Sequence, residues 1–295
     1  MRQHGRLSYS PTDCSVILVR PSPAEREAYQ VLLVERMARD GSQFLNAHVF
    51  PGGQVEASDN GDFRRAALRE LYEEVRLHLK PAANITEPPR RVTPQAINGD
   101  ITFSRFVEEN QGPSAEESLI QYARWITPKM MPKRFDTHFF LGLCSEADNP
   151  VDGSVDGQEI KSLAWLTPAE ALSQFSNGKI TLFPPQWYPQ FDAISKIFRY
   201  ILTDLNKHTP TLSSLISLCN RLPTSPQPMA PQGIRVQDKD TFSMCFYGDE
   251  SYKPTFEEPQ SRPGGRHRLN VQMQSGRPKQ ITLEITNFEL PSSKL

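Results

Sequence analysis

The sequence predicts an α/β domain followed by a small C-terminal β extension. Two short apolar runs rich in β-branched residues, 15–20 and 30–35, are typical of strands buried on both faces. An amphipathic stretch at 62–80 has the period of a helix. Beyond residue 232, alternating runs separated by turn signals indicate antiparallel strands.

The elements of the first domain follow in order from local signals. After the first two strands, a short extended piece at 49–50 ends at the turn signal Pro51-Gly52-Gly53. Asp62 can cap the helix that follows, and Pro81 can stop it. Three further strand-like runs come later, at 122–126, 135–144 and 160–166.

Two more helices are predicted in the main domain, and the composition changes after them. Thr167 and Pro168 start a short helix, as N-cap and first helical residue. A long helix is expected over 186–205, where apolar residues form one stripe. The predicted segments are a polar tail at 1–14, a main domain at 15–206 with an insertion loop at 81–98, a proline-rich linker at 207–232, a β appendage at 233–290 and a tail at 291–295.

Composition excludes several classes of function. The net charge of -1 gives no reason to expect nucleic acid or an anionic membrane as a partner. We expect no membrane anchor, because no apolar run approaches the roughly 20 residues that span a bilayer. The polar N-terminus lacks the apolar core of a signal peptide. The four scattered cysteines form no C-x-x-C pair, so we expect reduced thiols rather than a zinc site or disulfides.

The last three residues are Ser293-Lys294-Leu295. At a free carboxyl terminus this tripeptide is an address read by the peroxisomal import receptor. The sequence therefore predicts a peroxisomal matrix protein, and the address narrows its substrate to what a peroxisome contains.

The helix at 62–80 carries the chemistry. At about 100° per residue, Glu70, Glu73 and Glu74 lie on one face, opposite an apolar stripe. Like charges at this spacing repel, and Arg69 supplies only one compensating charge. Hard carboxylate ligands suit Mg²⁺ or Mn²⁺. The alternative is a solvated acidic helix face, but the preceding turn at Gly52 and Gly53 lets backbone approach a phosphate closely.

These residues resemble the Nudix box, G-x5-E-x7-R-E-U-x-E-E-x-G-U. Gly53 and the run Arg69-Glu70-Leu71-x-Glu73-Glu74 match it, with two extra residues between Gly53 and Arg69. Counted back from Arg69, the upstream Glu position falls on Gly61. Glu56, Asp59 and Asp62 are candidates to substitute for it, although none is in register. Arg76 stands where the box has Gly.

Four further segments are similar to the peroxisomal coenzyme A diphosphatase branch of that family: 31–36, 46–53, 134–140 and 183–186. The resemblance implies an α/β/α sandwich with a mixed β-sheet. The stricter coenzyme A signature has Ser or Ala after Arg36 and a second Arg farther on, whereas this chain has Met37 and Gly41.

The resemblance also implies roles for single residues. Glu70, Glu73 and Glu74 are expected to hold the metal, and Arg69 to orient them. The general base is expected to be either Glu70 or Glu159. Gly52 and Gly53 shape the turn, and Arg36 and Arg134 are candidates for contact with the 3′-phosphate of coenzyme A.

The function so implied is Mg²⁺- or Mn²⁺-dependent hydrolysis of the pyrophosphate in coenzyme A or acyl-CoA. The products would be 3′,5′-ADP and (acyl-)phosphopantetheine. Two alternatives stay open: an NADH or nucleotide-sugar diphosphatase on the same fold, and a catalytically weak nucleotide-binding protein.

Overall fold

The computed structural model describes residues 12–25, 27–37, 47–75, 77, 79, 116, 119–127, 135–144, 160–182, 193–222, 228–234, 241–254, 263–274 and 277–287. The strands within these ranges are β1 Thr12–Pro21, β2 Tyr29–Arg36, β3 His48–Val49, β4 Gly52–Gln54, β5 Ile120–Ile126, β6 Asp136–Leu143, β7 Ile160–Leu166, β8 Pro228–Met229, β9 Gln232–Ile234, β10 Thr241–Cys245, β11 Arg266–Gln274 and β12 Arg277–Thr286. The helices are α1 Phe63–Val75, α2 Pro168–Ser176, α3 Ala193–His208 and α4 Leu212–Cys219.

A mixed sheet forms the centre of the fold, in the order β3-β2-β1-β6-β5-β8, with β4 paired to β1 and β7 to β2. β1 and β6 are parallel along their whole length. β1 and β2 pair only where 19–21 meets 29–31. Beyond that point they diverge, and β3 and β4 fill the gap by pairing with β2 and β1 respectively. Residues 48–54 therefore sit between two diverging strands.

Helices cover both faces of this sheet. On one face, the Phe63 ring of α1 stacks on His138 of β6 at 4.1 Å between ring centroids. On the other, the Tyr29 hydroxyl of β2 lies 3.4 Å from the carbonyl of Leu205 in α3 and 3.2 Å from the Thr209 hydroxyl. Strand alternation and the β1–β2 and β1–β6 registers assign His138 and Tyr29 to opposite faces. The expected α/β/α sandwich is confirmed.

The first two strands are buried as their composition predicts. Residues 16–19 and 31–34 are all 0% exposed, whichever face their side chains point to. An uninterrupted apolar run is what a strand covered on both faces requires. The sequence therefore correctly predicts these two buried strands of the sandwich.

The N-terminal end of α1 matches the sequence prediction. The Asp62 carboxylate accepts hydrogen bonds from the backbone N–H groups of Arg64 (2.8 Å) and Arg65 (3.2 Å). These N–H groups have no partner within the helix, so Asp62 caps it.

The C-terminal end of α1 differs from the prediction. The helix ends at Val75 rather than near residue 80, so the expected stop at Pro81 is wrong. Leu77 and Leu79 are both buried but not helical. Apolar side chains at 75, 77 and 79 recur every second residue, and that period buries one side of an extended chain rather than of a helix.

The segment predicted as linker contains a helix. α4, Leu212–Cys219, lies within 207–232, and Thr211 caps it by accepting a hydrogen bond from the Ser214 N–H. The linker interpretation rested on the prolines beyond residue 222, and α4 itself contains none. Two of the later residues, Pro228–Met229, form β8 and pair with β5 at the sheet edge, where proline is tolerated. The insertion loop at 81–98 lies outside the described residues.

The C-terminal strands form a second sheet, antiparallel throughout, in the order β12-β11-β10-β9. The predicted β appendage is therefore present. Its Phe246 ring packs edge-on against Trp125 of β5, at 5.6 Å and 81°, and both side chains are 1% exposed. Inside this sheet, Arg268 donates two hydrogen bonds to the buried Asp249 carboxylate. The second sheet thus shares a buried contact with the first.

The four cysteines are buried and unbridged, as the sequence predicts. Of the helices in the described ranges, none combines the length and apolarity needed to cross a bilayer.

Candidate active site

The Arg69 guanidinium joins three segments of the chain. Its Nε and Nη2 donate to the two carboxylate oxygens of Asp59, each at 3.0 Å. Its Nη1 donates to Glu70 at 2.9 Å and to Glu73 at 2.8 Å, and Nη2 also donates to the Gln54 carbonyl at 2.8 Å. The Arg69 side chain is 6% exposed. This one side chain therefore fixes the face of α1, the 3₁₀ turn at Ala57–Asp59 and the end of β4 relative to one another.

Of the three upstream carboxylates that the sequence left open, Asp59 is the one that contacts Arg69. Its side chain is 1% exposed, and both of its carboxylate oxygens accept hydrogen bonds from Arg69. Counted forward from Gly53, Asp59 occupies the upstream acidic position of the box, so the two extra residues lie between Asp59 and Arg69. Asn60 and Gly61 in that stretch both have positive φ, 54° and 75°, and they turn the chain tightly after Asp59. Counting from the glycine rather than from Arg69 would have found Asp59.

The two glycines are required because backbone and side chains approach there closely. A Cβ at Gly53 would lie 2.5 Å from the Glu70 carboxylate, and one at Gly52 would lie 2.2 Å from the Cys14 carbonyl oxygen. Both distances are shorter than van der Waals contact allows. The Gly52 N–H also donates to the Glu74 carboxylate at 3.0 Å. The turn is therefore held against α1 on one side and β1 on the other.

The three glutamates of α1 have different environments. The Glu74 side chain is 4% exposed and lies 3.3 Å from the Arg36 guanidinium. Glu73 is 45% exposed. Glu70 is mostly buried, and burial raises its pKa to about 7 even though Arg69 acts in the opposite direction; the neighbouring Glu73 charge adds to the rise. A raised pKa indicates a carboxylate with less positive charge around it than its ionised form needs.

The donor set fits a hard divalent cation in its chemistry. Glu70, Glu73 and Glu74 offer carboxylate oxygens alone, which suits Mg²⁺ or Mn²⁺. The raised pKa of Glu70 also favours an added positive charge. In the part of the chain that the structure describes, no three His, Cys, Asp or Glu side chains are arranged to hold a metal ion. The carboxylates are instead turned toward Arg69, Arg36 and the glycine turn.

Most of the predicted site residues lie together at the point where β1 and β2 diverge. They are Arg36, Gly52, Gly53, Arg69, Glu70, Glu73 and Glu74. Glu159 and Arg134 lie outside the described residues, and their roles stay predictions.

Comparison with known proteins finds similar sequences. A family model described as the NUDT19 Nudix domain matches residues 62–191. The chain is 28% identical over 221 residues to a putative nudix hydrolase 7 of Caenorhabditis elegans, covering 70% of this chain and 64% of that protein. It is 27% identical over 261 residues to the acyl-coenzyme A diphosphatase NUDT19 of Gallus gallus, covering 62% and 68%. The chain thus spans about two thirds of the length of these relatives.

A solved structure is similar in fold. The crystal structure of a NUDIX hydrolase from Alicyclobacillus acidocaldarius superposes with a TM-score of 0.54 at 20% identity, covering 71% of this chain and 97% of that chain. The matching family model and the relatives support the Nudix family. Within that family, the domain is similar to the NUDT19 branch, and the resemblance inferred from the sequence is confirmed.

Because the Asp59 carboxylate accepts two hydrogen bonds from the buried Arg69, we expect Asp59→Asn to lower the stability of the fold strongly. The amide keeps the shape but leaves the buried guanidinium short of one negative charge, which should lower the free energy of unfolding by roughly 3 kcal/mol. Urea unfolding at pH 7 measures it. Asp62→Asn is the matched control, because Asn caps a helix as well as Asp does and should change stability by less than about 0.5 kcal/mol. Equal losses in the two variants would show that the Asp59–Arg69 pair has no special weight.

Proposed function

We propose that this protein hydrolyses the pyrophosphate bond of coenzyme A or an acyl-CoA, with Mg²⁺ or Mn²⁺ as cofactor. The observation that carries the proposal is the face of α1, where Arg69 aligns carboxylates beside a glycine turn. The name of the NUDT19 relatives, acyl-coenzyme A diphosphatase, supports the substrate class. The products are 3′,5′-ADP and (acyl-)phosphopantetheine.

The residues that would hold the metal are Glu70, Glu73 and Glu74. When bound, a divalent cation neutralises phosphate oxygens and lowers the pKa of a coordinated water. Arg69 sets the positions of Glu70 and Glu73 by donating to both, and the buried Asp59 in turn keeps Arg69 in place. Arg69 thus holds Glu70 and Glu73 beside one another on one face of α1.

Proton transfer is assigned to a carboxylate. A water oxygen attacks one phosphorus of the pyrophosphate, and the bond from that phosphorus to the bridging oxygen breaks. Glu70 is the base that the geometry favours, because its carboxylate lies against the glycine turn at Gly53. Glu159 stays an alternative base. Arg36, beside Glu74, is placed to contact the substrate on the α1 side of the sheet, and Arg134 is a second candidate.

The function is tested by a substrate panel with Glu73→Gln as the probe. CoA, acetyl-CoA, NADH and ADP-ribose are incubated with Mg²⁺ or Mn²⁺, and the nucleotide products are quantified by chromatography. We expect CoA or its thioester to be cleaved fastest. Glu73 is half exposed, so Glu73→Gln should fold normally and lose turnover by about 100-fold, since it removes a charged ligand.

The exposed Glu25, at the β1–β2 turn, offers the matched control. Glu25→Gln should leave turnover unchanged. Near-normal turnover of Glu73→Gln would reject the metal assignment. Faster cleavage of NADH or ADP-ribose than of CoA would favour the other diphosphatases, and binding without cleavage would favour a nucleotide-binding protein.

Location in the peroxisomal matrix is part of the proposal and rests on Ser293-Lys294-Leu295, which lies outside the described residues. A fluorescent protein fused in front of the chain should colocalise with a peroxisomal marker. Removing the tripeptide should leave the fusion in the cytosol, because the import receptor reads that signal. Peroxisomal signal that survives the deletion would show that another segment directs import.

A further inference from the structure

A row of polar side chains crosses the sheet next to the glycine turn. Glu35 of β2 lies opposite His48 of β3 on one side and opposite Ser162 of β7 on the other. Residues directly opposite in a sheet point to the same face. Side chains two residues apart on a strand share a face. Glu35, Leu33 and Val31 of β2 therefore lie on the same face as Tyr29, which contacts α3. The polar row therefore lies on the face opposite α1.

Glu35 joins the polar row to a lysine. Its carboxylate accepts hydrogen bonds from Lys161 Nζ at 2.8 Å and from Ser162 Oγ at 2.6 Å. The β2–β7 register passes from Glu35–Ser162 to Arg36–Ile160, so a bulge leaves Lys161 without a cross-strand partner. The bulge lets two consecutive side chains reach the same carboxylate.

The contact with Glu35 leaves the Lys161 side chain at the surface of the protein. Its side chain is 57% exposed, while that of Glu35 is 15% exposed. The ammonium has three donors, and Glu35 accepts one of them. Ser162 also donates to Glu35, so the carboxylate keeps a partner if Lys161 turns toward a ligand. The result is a positioned cation with donors directed at solvent.

The polar row borders the active site. Glu35 and Arg36 are the last two residues of β2, so their side chains point to opposite faces at the end of the strand. Arg36 contacts Glu74 on the α1 side, and His48 precedes Gly52 by four residues. Within the described ranges, no group is placed to form a hydrogen bond with the buried His48 Nδ1 atom. A ligand lying across the end of β2 would meet Arg36 on one side and Lys161 on the other.

We propose that Lys161 binds the phosphomonoester on the nucleoside end of the substrate, the 3′-phosphate of a CoA-type molecule, and so determines specificity. The inference rests on the proposed function, because it places the scissile pyrophosphate at the α1 carboxylates. The ribose then crosses the end of β2, and its 3′-phosphate faces the ammonium. Charge-assisted contacts to phosphate are among the strongest hydrogen bonds in proteins. A dinucleotide without that phosphate gains nothing from Lys161.

The test compares Lys161→Gln with the unmodified protein on CoA and 3′-dephospho-CoA. We expect kcat/KM for CoA to fall by about 10-fold or more, while kcat/KM for 3′-dephospho-CoA stays within about twofold. Lys161→Arg should restore most of the preference because it keeps the charge. Lys253→Gln removes the same charge from an exposed lysine between β10 and β11 and should change neither value. Calorimetric binding of 3′,5′-ADP and AMP gives the same comparison without turnover.

Each outcome separates this inference from the proposed function. Equal losses on both substrates would assign Lys161 a structural role and overturn the inference. So would unchanged kinetics, or an unmodified protein that does not distinguish CoA from 3′-dephospho-CoA. Cleavage of neither substrate would reject the proposed function, and equal affinity of Lys161→Gln and the unmodified protein for 3′,5′-ADP would then reject the inference on its own.

Discussion

One buried guanidinium organises the candidate active site of this molecule. Arg69 donates to two carboxylate oxygens of Asp59, to Glu70, to Glu73 and to the Gln54 carbonyl, which belong to three different segments. A planar guanidinium with five donors can satisfy such a set, whereas an ammonium cannot. Because the guanidinium is almost fully buried, each acceptor is needed to offset the cost of removing its charge from water.

The divergence of β1 and β2 is the second constraint on the candidate active site. The strands pair at one end and diverge at the other, and the glycine turn fills the space between them. Only residues without a side chain fit where Gly52 passes the Cys14 carbonyl and Gly53 passes the Glu70 carboxylate. At the end of β2 beyond this divergence, Arg36 lies on one face of the sheet and Glu35 on the other. The α1 carboxylates and the polar row therefore both lie beside the end of β2, although they are on opposite sides of the sheet.

Much of this could be predicted from sequence because the signals were local. Apolar strands such as 16–19 are buried on both faces, Thr167 caps α2 through the Glu170 N–H, and the carboxylates of α1 share a face. Features that depended on tertiary context were left open or missed. Asp59 was out of register until the position of the inserted residues was known. The end of α1 at Val75 depends on packing of leucines that no stop signal in the sequence marks, and α4 was missed although Thr211 caps it.

The contact of Lys161 with Glu35 could not be predicted for a different reason. The two residues are 126 positions apart, and a bulge brings the lysine to the carboxylate. Sequence alternation alone would place Lys161 and Ser162 on opposite faces. Nothing in one sequence marks such a bulge.

The most direct test of the role of Arg69 is the turnover number of Arg69→Lys for CoA at saturating Mg²⁺. Lysine keeps the charge but cannot hold Asp59 bidentately while donating to Glu70 and Glu73. We predict a loss in kcat of about 100-fold, the scale of losing oriented catalytic groups, in a protein that retains its circular dichroism spectrum. A kcat within about threefold of the unmodified protein would contradict the account, because the carboxylates would then be oriented without the guanidinium.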